Sequence, residues 1–337
     1  MARQRRIPTP SWEKDHGIGG GFSGSRLQVL AAIGAALLVV AALGAIGFGF
    51  LYDELRERDR PNTTAIQVGD TRFTVRDFTN RAKMYVTEFT TTNYQVVVPS
   101  VSVSIQEQVV IIKYAGEKNV SATDDDVKAE IAKLLGIEAT DPNFDQRLSE
   151  ELTKTGLSDQ QYRDYARGRA LQGKLKEQFK TDLPATAESV HYRQILVPDQ
   201  ALADEIKAEI DAGGDFVALA AQHSTDTATK DTGGDKGWAP LGFLPDNQEE
   251  LFFSLDLNQV VTIPAQGGTA VYVYQVTEKD AEHPVDEDKK DTLAQQNYNE
   301  WVAEKIEAED VDDQMDFTNG NFDKIRYVIN NAGLSIQ

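Results

Sequence analysis

A chain of 337 residues with 40% hydrophobic content is long enough for two domains and an accessory segment around real cores. Its formal net charge of −20 would repel a phosphate backbone over most of the surface, which disfavours a nucleic-acid partner. It has no cysteine, and this excludes disulfides, zinc–thiolate sites, cysteine nucleophiles and a lipidation cysteine.

Residues 1–26 are a basic tail, with Arg3, Arg5, Arg6, Lys14 and Arg26 against Glu13 and Asp15. The next stretch, 27–52, carries no charge, and Gln28 is its one strongly polar side chain. About 20 such residues span a hydrocarbon core, so the stretch reads as a transmembrane anchor. The positive flank places the N-terminus in the cytoplasm and everything after Asp53 outside, as a single-pass protein. The alternative is a cleaved signal peptide, whose apolar region runs only about 7 to 15 residues. Ala31 with Ala35, and Ala41 with Ala45, fall at the small-xxx-small spacing that packs helix pairs, so a homodimer is open.

Residues 62–183 read as a helical domain. It opens on a hairpin, with Gly69-Asp70 turning between Ile66–Val68 and Phe73–Val75. Phe78, Ala82, Tyr85 and Phe89 then recur at helical spacing, as do Ile105, Val109 and Ile112, and Pro99 is expected to separate the two helices. Thr123 with Asp126 forms a capping-box pattern ahead of Val127, Ile131 and Leu134, and Gly136 stops that helix. Another helix begins near Pro142, with Phe144, Leu148 and Leu152, and a longer one follows Ser158, which pairs with Gln161 in a second capping pattern. Pro184 marks a linker.

The grammar then changes to α+β over residues 188–279. A strand at 190–197 precedes a helix carrying Leu202, Ile206 and Ile210, then a short helix in 215–222. The loop "HSTDTATKDTGGDKGW" follows, then a short helix near Gln248 to Phe253 and strands at 260–263 and 270–277. The segment 285–337 opens on a helix with Leu293, Tyr298, Trp301 and Val302. It is too polar to stand alone and is expected to return to the helical domain.

The loop lacks the frame of a phosphate-binding P-loop, and Ser224 has neither the base nor the strained elbow of a nucleophile. The four histidines, at 16, 191, 223 and 283, have no metal-ligand spacing. No cofactor and no metal is expected.

The order "RQILV", "AGGDFVALAAQHSTD", "GGDKGW", "LFFSLDLNQVV" and a closing strand before "TEKD" resembles the parvulin family of peptidyl-prolyl cis-trans isomerases. The stretches "AIQVGDTRFTVRDF", "SATDDDVKAEI" and "GLSDQQYRDYARGRALQGKL" are similar to the helical chaperone domain of SurA- and PrsA-like foldases. The resemblance implies an anchored extracytoplasmic foldase that takes unfolded or proline-containing polypeptides. It puts Asp226 beside the rotating carbonyl and Leu244 and Phe253 in the proline pocket. Gln194 and Tyr272 stand where the family usually has histidines, and Gln248 where an aromatic is usual. Gln194 and Tyr272 are therefore expected to complete a polar network with Asp226, and Gln248 to line the pocket. Two alternatives remain open: a holdase that kept the fold without catalysis, and an adaptor of an envelope complex.

Overall fold

The computed structural model describes residue 54 and residues 56–319 and 322–335. The expected anchor at 27–52 and the basic tail lie outside the described residues.

Two short strands open the helical lobe. Thr64–Val68 (β1) and Thr71–Thr74 (β2) pair antiparallel around Gly69, whose φ of +54° suits the tight turn. Thr74 then starts helix α1 (Val75–Phe89) through a capping box, its hydroxyl accepting from the Asp77 amide while Asp77 accepts from the Thr74 amide. Phe78 and Ala82 are buried as their spacing predicts, but Phe89 is 51% exposed at the end of the helix, where the core has run out.

Helix α1 ends at Thr90 in the left-handed conformation, and Asn93 caps helix α2 (Tyr94–Tyr114). Pro99 does not separate the two helices: it lies within the second turn of α2. The hydrogen bond it forgoes would reach the carbonyl of Gln95, and both residues are exposed, so water can solvate that carbonyl. The stretch Tyr94–Lys118 is long and apolar enough to cross a membrane, with a mean hydropathy of 1.4, but half of it is buried inside the protein. Val97, Val98, Val101, Ile105, Val110 and Ile111 make it the central core helix.

Helices α3 (Asp124–Leu135), α4 (Phe144–Thr155) and α5 (Asp159–Asp182) follow. The Thr123/Asp126 and Ser158/Gln161 capping boxes both form, and Gly136 ends α3 at φ +67°. A satellite core joins Val127, Ile131, Phe144, Leu148, Leu157 and Tyr162.

The α+β part begins at Thr186, earlier than the expected strand, so only a few residues separate it from α5. Its elements are β3 (Thr186–Val197), α6 (Gln200–Asp211), α7 (Phe216–His223), β4 (Asp235–Pro240), α8 (Asp246–Ser254), β5 (Val260–Pro264) and β6 (Val271–Pro284). The four strands form an antiparallel sheet in the order β4-β3-β6-β5. Alternation along β3 and β6 gives the sheet two apolar faces. Ile195, Val197, Val271 and Val273 face α6 and α7, whose Ile206, Phe216 and Leu219 close one core. Val190, Tyr192, Tyr274 and Val276 belong to a second core, with Leu244 and Phe252.

Helix α9 (Glu287–Glu307) returns to the helical lobe, as its apolar residues predict. Tyr298 and Trp301 meet Phe179 of α5 with ring centroids 6.2 and 6.1 Å apart, and Lys180 pairs with Glu287 at 2.6 Å and Asp291 at 2.8 Å. A short strand β7 (Val311–Asp313) completes a three-stranded sheet on the free edge of β1, and helix α10 (Phe322–Ala332) buries Ile325, Val328 and Ile329 in the same core.

Candidate active site

The site is built on β3 and the loop after α7. Ser224 tethers the start of that loop, its hydroxyl accepting from the amide of Leu196 at 3.2 Å, and the Thr225 amide donates to the Leu196 carbonyl at 2.8 Å. The end of the loop is fixed by Gly234, whose carbonyl accepts from the Gln194 amide at 2.8 Å. Here a glycine is required. Its φ is +78°, and a Cβ on it would lie 2.2 Å from the Gln194 carbonyl oxygen. The loop is thus closed on β3 at both ends, at Leu196 where it starts and at Gln194 where it finishes.

Asp226 sits within this closed loop. Its Oδ2 accepts from Gln194 Nε2 at 2.6 Å and from the Thr229 hydroxyl at 2.7 Å, and its Oδ1 accepts from the Ala228 amide at 3.0 Å. The Thr229 hydroxyl holds the carboxyl below its ordinary range, and Gln194, the Ala228 amide and the Lys236 charge add to it, together outweighing the desolvation penalty. Asp226 is therefore a carboxylate at neutral pH. Gln194 is 8% exposed and Asp226 is half-buried, so this amide–carboxylate bond is covered on the Gln194 side and reachable from solvent on the Asp226 side.

Strand register brings the remaining candidates to the same face. Gln194 lies opposite Tyr274, and Leu196 opposite Tyr272. Tyr272 stacks on Tyr274 with centroids 5.3 Å apart, and Tyr274 meets Phe252 edge-on at 4.9 Å. Leu244, Phe253 and Tyr272 all pack in this cluster. The Gln248 side chain comes close enough to the Tyr274 hydroxyl to favour its ionised form, so it reaches the aromatic floor through a polar tip. Burial pushes the Tyr274 phenol up and keeps it neutral.

Of the six sequence candidates, Gln194 and Asp226 touch directly, whereas Tyr272, Leu244, Phe253 and Gln248 assemble around Tyr274. Tyr272 enters by ring stacking, in place of the polar network expected of it. Thr229 and Tyr274 were not anticipated. Thr229 has a local signal, a hydroxyl three residues after Asp226, where side-chain turns form. Among the described residues no cluster of acidic or histidine side chains fits a metal. His191 and His283 instead flank the Trp238 ring, at 5.3 and 4.0 Å.

Comparison with known proteins finds a family match inside this part of the chain. Residues 185–280 match the family model described as a PPIC-type PPIASE domain. The foldase protein PrsA of Caldanaerobacter subterraneus subsp. tengcongensis is 28% identical over 215 residues, covering 60% of this chain and 68% of that protein. Foldase protein PrsA 1 of Bacillus cereus is 32% identical over 145 residues, covering 43% of this chain and 48% of that protein. The chain thus spans about half to two thirds of the length of such relatives. The crystal structure of a Bacillus anthracis peptidylprolyl isomerase (PrsA) aligns with 68% of this chain and 96% of its own, at 22% identity and a TM-score of 0.37. The chain therefore carries a parvulin-type, PPIC-type PPIase domain at residues 185–280 and is similar to the PrsA foldases over a longer stretch than that domain.

Proposed function

We propose that this protein is an anchored, extracytoplasmic foldase. In this reading 27–52 holds it in the membrane, the domain at 188–279 isomerises X-Pro bonds, and the helical lobe at 62–183, buttressed by 285–337, holds unfolded secreted chains. The observation that carries it is the sheet face inside the PPIC-type match, where a part-buried Asp226–Gln194 pair borders an aromatic and apolar floor.

The chemistry follows from amide resonance. An X-Pro bond rotates over a barrier of about 18–20 kcal/mol because conjugation moves electron density from nitrogen to the carbonyl oxygen. The twisted transition state returns that density to nitrogen. A carboxylate fixed near the carbonyl oxygen repels the planar, oxygen-negative form more than the twisted one, so Asp226 lowers the barrier by electrostatic selection. The carboxylate is suited to this because three donors fix both its charge and its direction. Gln194 orients it, and Tyr272 closes the carbonyl side. Leu244, Phe253 and Gln248 form the proline pocket, which strips water from the ring. The rotation makes and breaks no covalent bond, so it calls for no cofactor.

The test is exchange spectroscopy on a blocked proline tetrapeptide in the presence of full-length protein in detergent. The reading predicts cis-trans exchange well above the uncatalysed rate of tens to hundreds of seconds per event. Exchange equal to the uncatalysed rate would sink the enzyme reading and leave a holdase.

A further inference from the structure

Each sheet ends on two edge strands, and an edge left bare is a template for pairing with another chain, so proteins guard edges with charge, proline or a bulge. Three of the four edges here are guarded in this way. β2 carries Arg72, and β7 carries Asp312 and Asp313. β4 carries Asp235 and Lys236, a register shift beside Gly237, and Pro240 at its end. β5 reads "VVTIP": it has no charge and no register shift, and its proline, Pro264, stands at the last position. In a chain of net charge −20, this edge alone is left as uncharged, strand-forming sequence.

The alternation of the ladder identifies which groups of β5 face outward. The Ala265 amide donates to the Ala270 carbonyl at 2.8 Å, so the pairs Ile263–Tyr272 and Val261–Tyr274 exchange hydrogen bonds, whereas Val260 and Thr262 turn theirs away from β6. The other side of β6 agrees. The Gln194 amide turns to Gly234 on the β4 side, so Tyr274, opposite Gln194, directs its own backbone groups to β5. Among the described residues, no other element hydrogen-bonds the outward N–H and C=O of Thr262.

The two faces of β5 have different neighbours. Helix α6 lies on one, where Ala203 and Ile206 share a core with Val260. The other carries Val261 and Ile263, which pack with Leu244, Phe253 and Tyr272 of the candidate site. The unguarded edge is therefore continuous with the floor of the candidate proline pocket.

We propose that β5 is a docking strand: an extended client polypeptide adds to it as a fifth strand of the sheet, with its backbone on the N–H and C=O of Thr262 and its proline carried to the neighbouring pocket. The assignment rests on the foldase reading and supplies the grip that holds a client while its X-Pro bond turns. An added strand lies about 4.7–4.9 Å from β5, and every second side chain falls on the Val261 and Ile263 face, so it lengthens the pocket floor. Main-chain pairing uses groups that every sequence has, which suits a protein that takes many unfolded chains. Continuity with the pocket selects such a chain over a second folded copy of this protein.

The experiment is fluorescence anisotropy with full-length protein in detergent. The probe is a terminally blocked peptide with one central proline flanked on both sides by alternating valine and threonine, compared with the same peptide N-methylated at every flanking residue. Wild type should bind the first peptide and hold the second about tenfold more weakly, because methylation removes the donors of the added strand. Thr262→Pro removes the outward N–H without breaking a bond to β6 and should weaken the first peptide about fivefold, whereas Thr262→Val keeps that N–H and should bind as wild type. If Thr262→Pro fails to fold, hydrogen exchange in wild type decides: the first peptide should slow the Thr262 amide. No binding by wild type, equal affinity for the two peptides, full affinity in a folded Thr262→Pro protein, or a Thr262 amide that the peptide does not slow would overturn the docking strand. So would sedimentation showing that two copies pair without peptide and that Thr262→Pro separates them, since the edge would then belong to a dimer. Tetrapeptide exchange by the same wild-type preparation reports the foldase reading separately.

Discussion

Gln194→Leu isolates the contact on which the site geometry depends. The substitution keeps the side-chain size but removes the Nε2 donor that meets Asp226 Oδ2 at 2.6 Å. A hydrogen bond to a charged group contributes about 1.5–3 kcal/mol. Asp226 keeps the Thr229 hydroxyl and the Ala228 amide, and a leucine beside Tyr274 gains apolar burial, so the net loss should be about 1 kcal/mol at neutral pH. The Asp226 carboxyl is depressed in the folded state, so its contribution is present above the unfolded value of about 3.9 and lost as pH falls through the folded value. Gln194→Leu weakens one cause of the depression and should raise the carboxyl titration. Two measurements check this: the ¹³C titration of the Asp226 carboxyl, which should move up, and denaturant unfolding, where the gap between wild type and variant should close on acidification. An unmoved titration, with a stability gap as wide in acid as at neutral pH, would refute the reasoning.

Other substitutions test the frame around the site. Gly234→Ala forces a Cβ into the Gln194 carbonyl at positive φ and should cost more than the roughly 1–2 kcal/mol of left-handed strain alone, by thermal unfolding. Trp301→Ala removes the α9 ring that packs on Phe179 and should cost about 3–5 kcal/mol in denaturant unfolding of the helical lobe. Ser158→Ala should cost about 1 kcal/mol and speed amide exchange in the first turn of α5.

Elements with local chemistry were legible. The capping boxes at Thr123 and Ser158, the hairpin at Gly69 and the apolar faces of α6 and α9 are each written within a few residues, and each forms. Pro99 misled because a proline rule applied locally ignores how readily an exposed turn loses one hydrogen bond. Strand β4 was hidden in the glycine-rich loop, where Gly237 and a register shift opposite Tyr192 and Arg193 break the alternation. Strand β7 is only three residues long, and its partner β1 is distant in sequence, so no local pattern could announce it. In the site, Asp226 and Gln194 come from a resemblance, but their direct contact and the anchoring by Thr229 depend on loop closure over β3.

The central claim is that the Asp226 carboxylate lowers the barrier to X-Pro rotation, and the most direct measurement is tetrapeptide exchange by wild type and Asp226→Ala at matched thermal stability. The account predicts catalysis by wild type and at least about a tenfold lower rate in the variant, equivalent to roughly 1.4 kcal/mol of transition-state stabilisation. An equal rate in a folded Asp226→Ala protein would contradict it and remove Asp226 from the site.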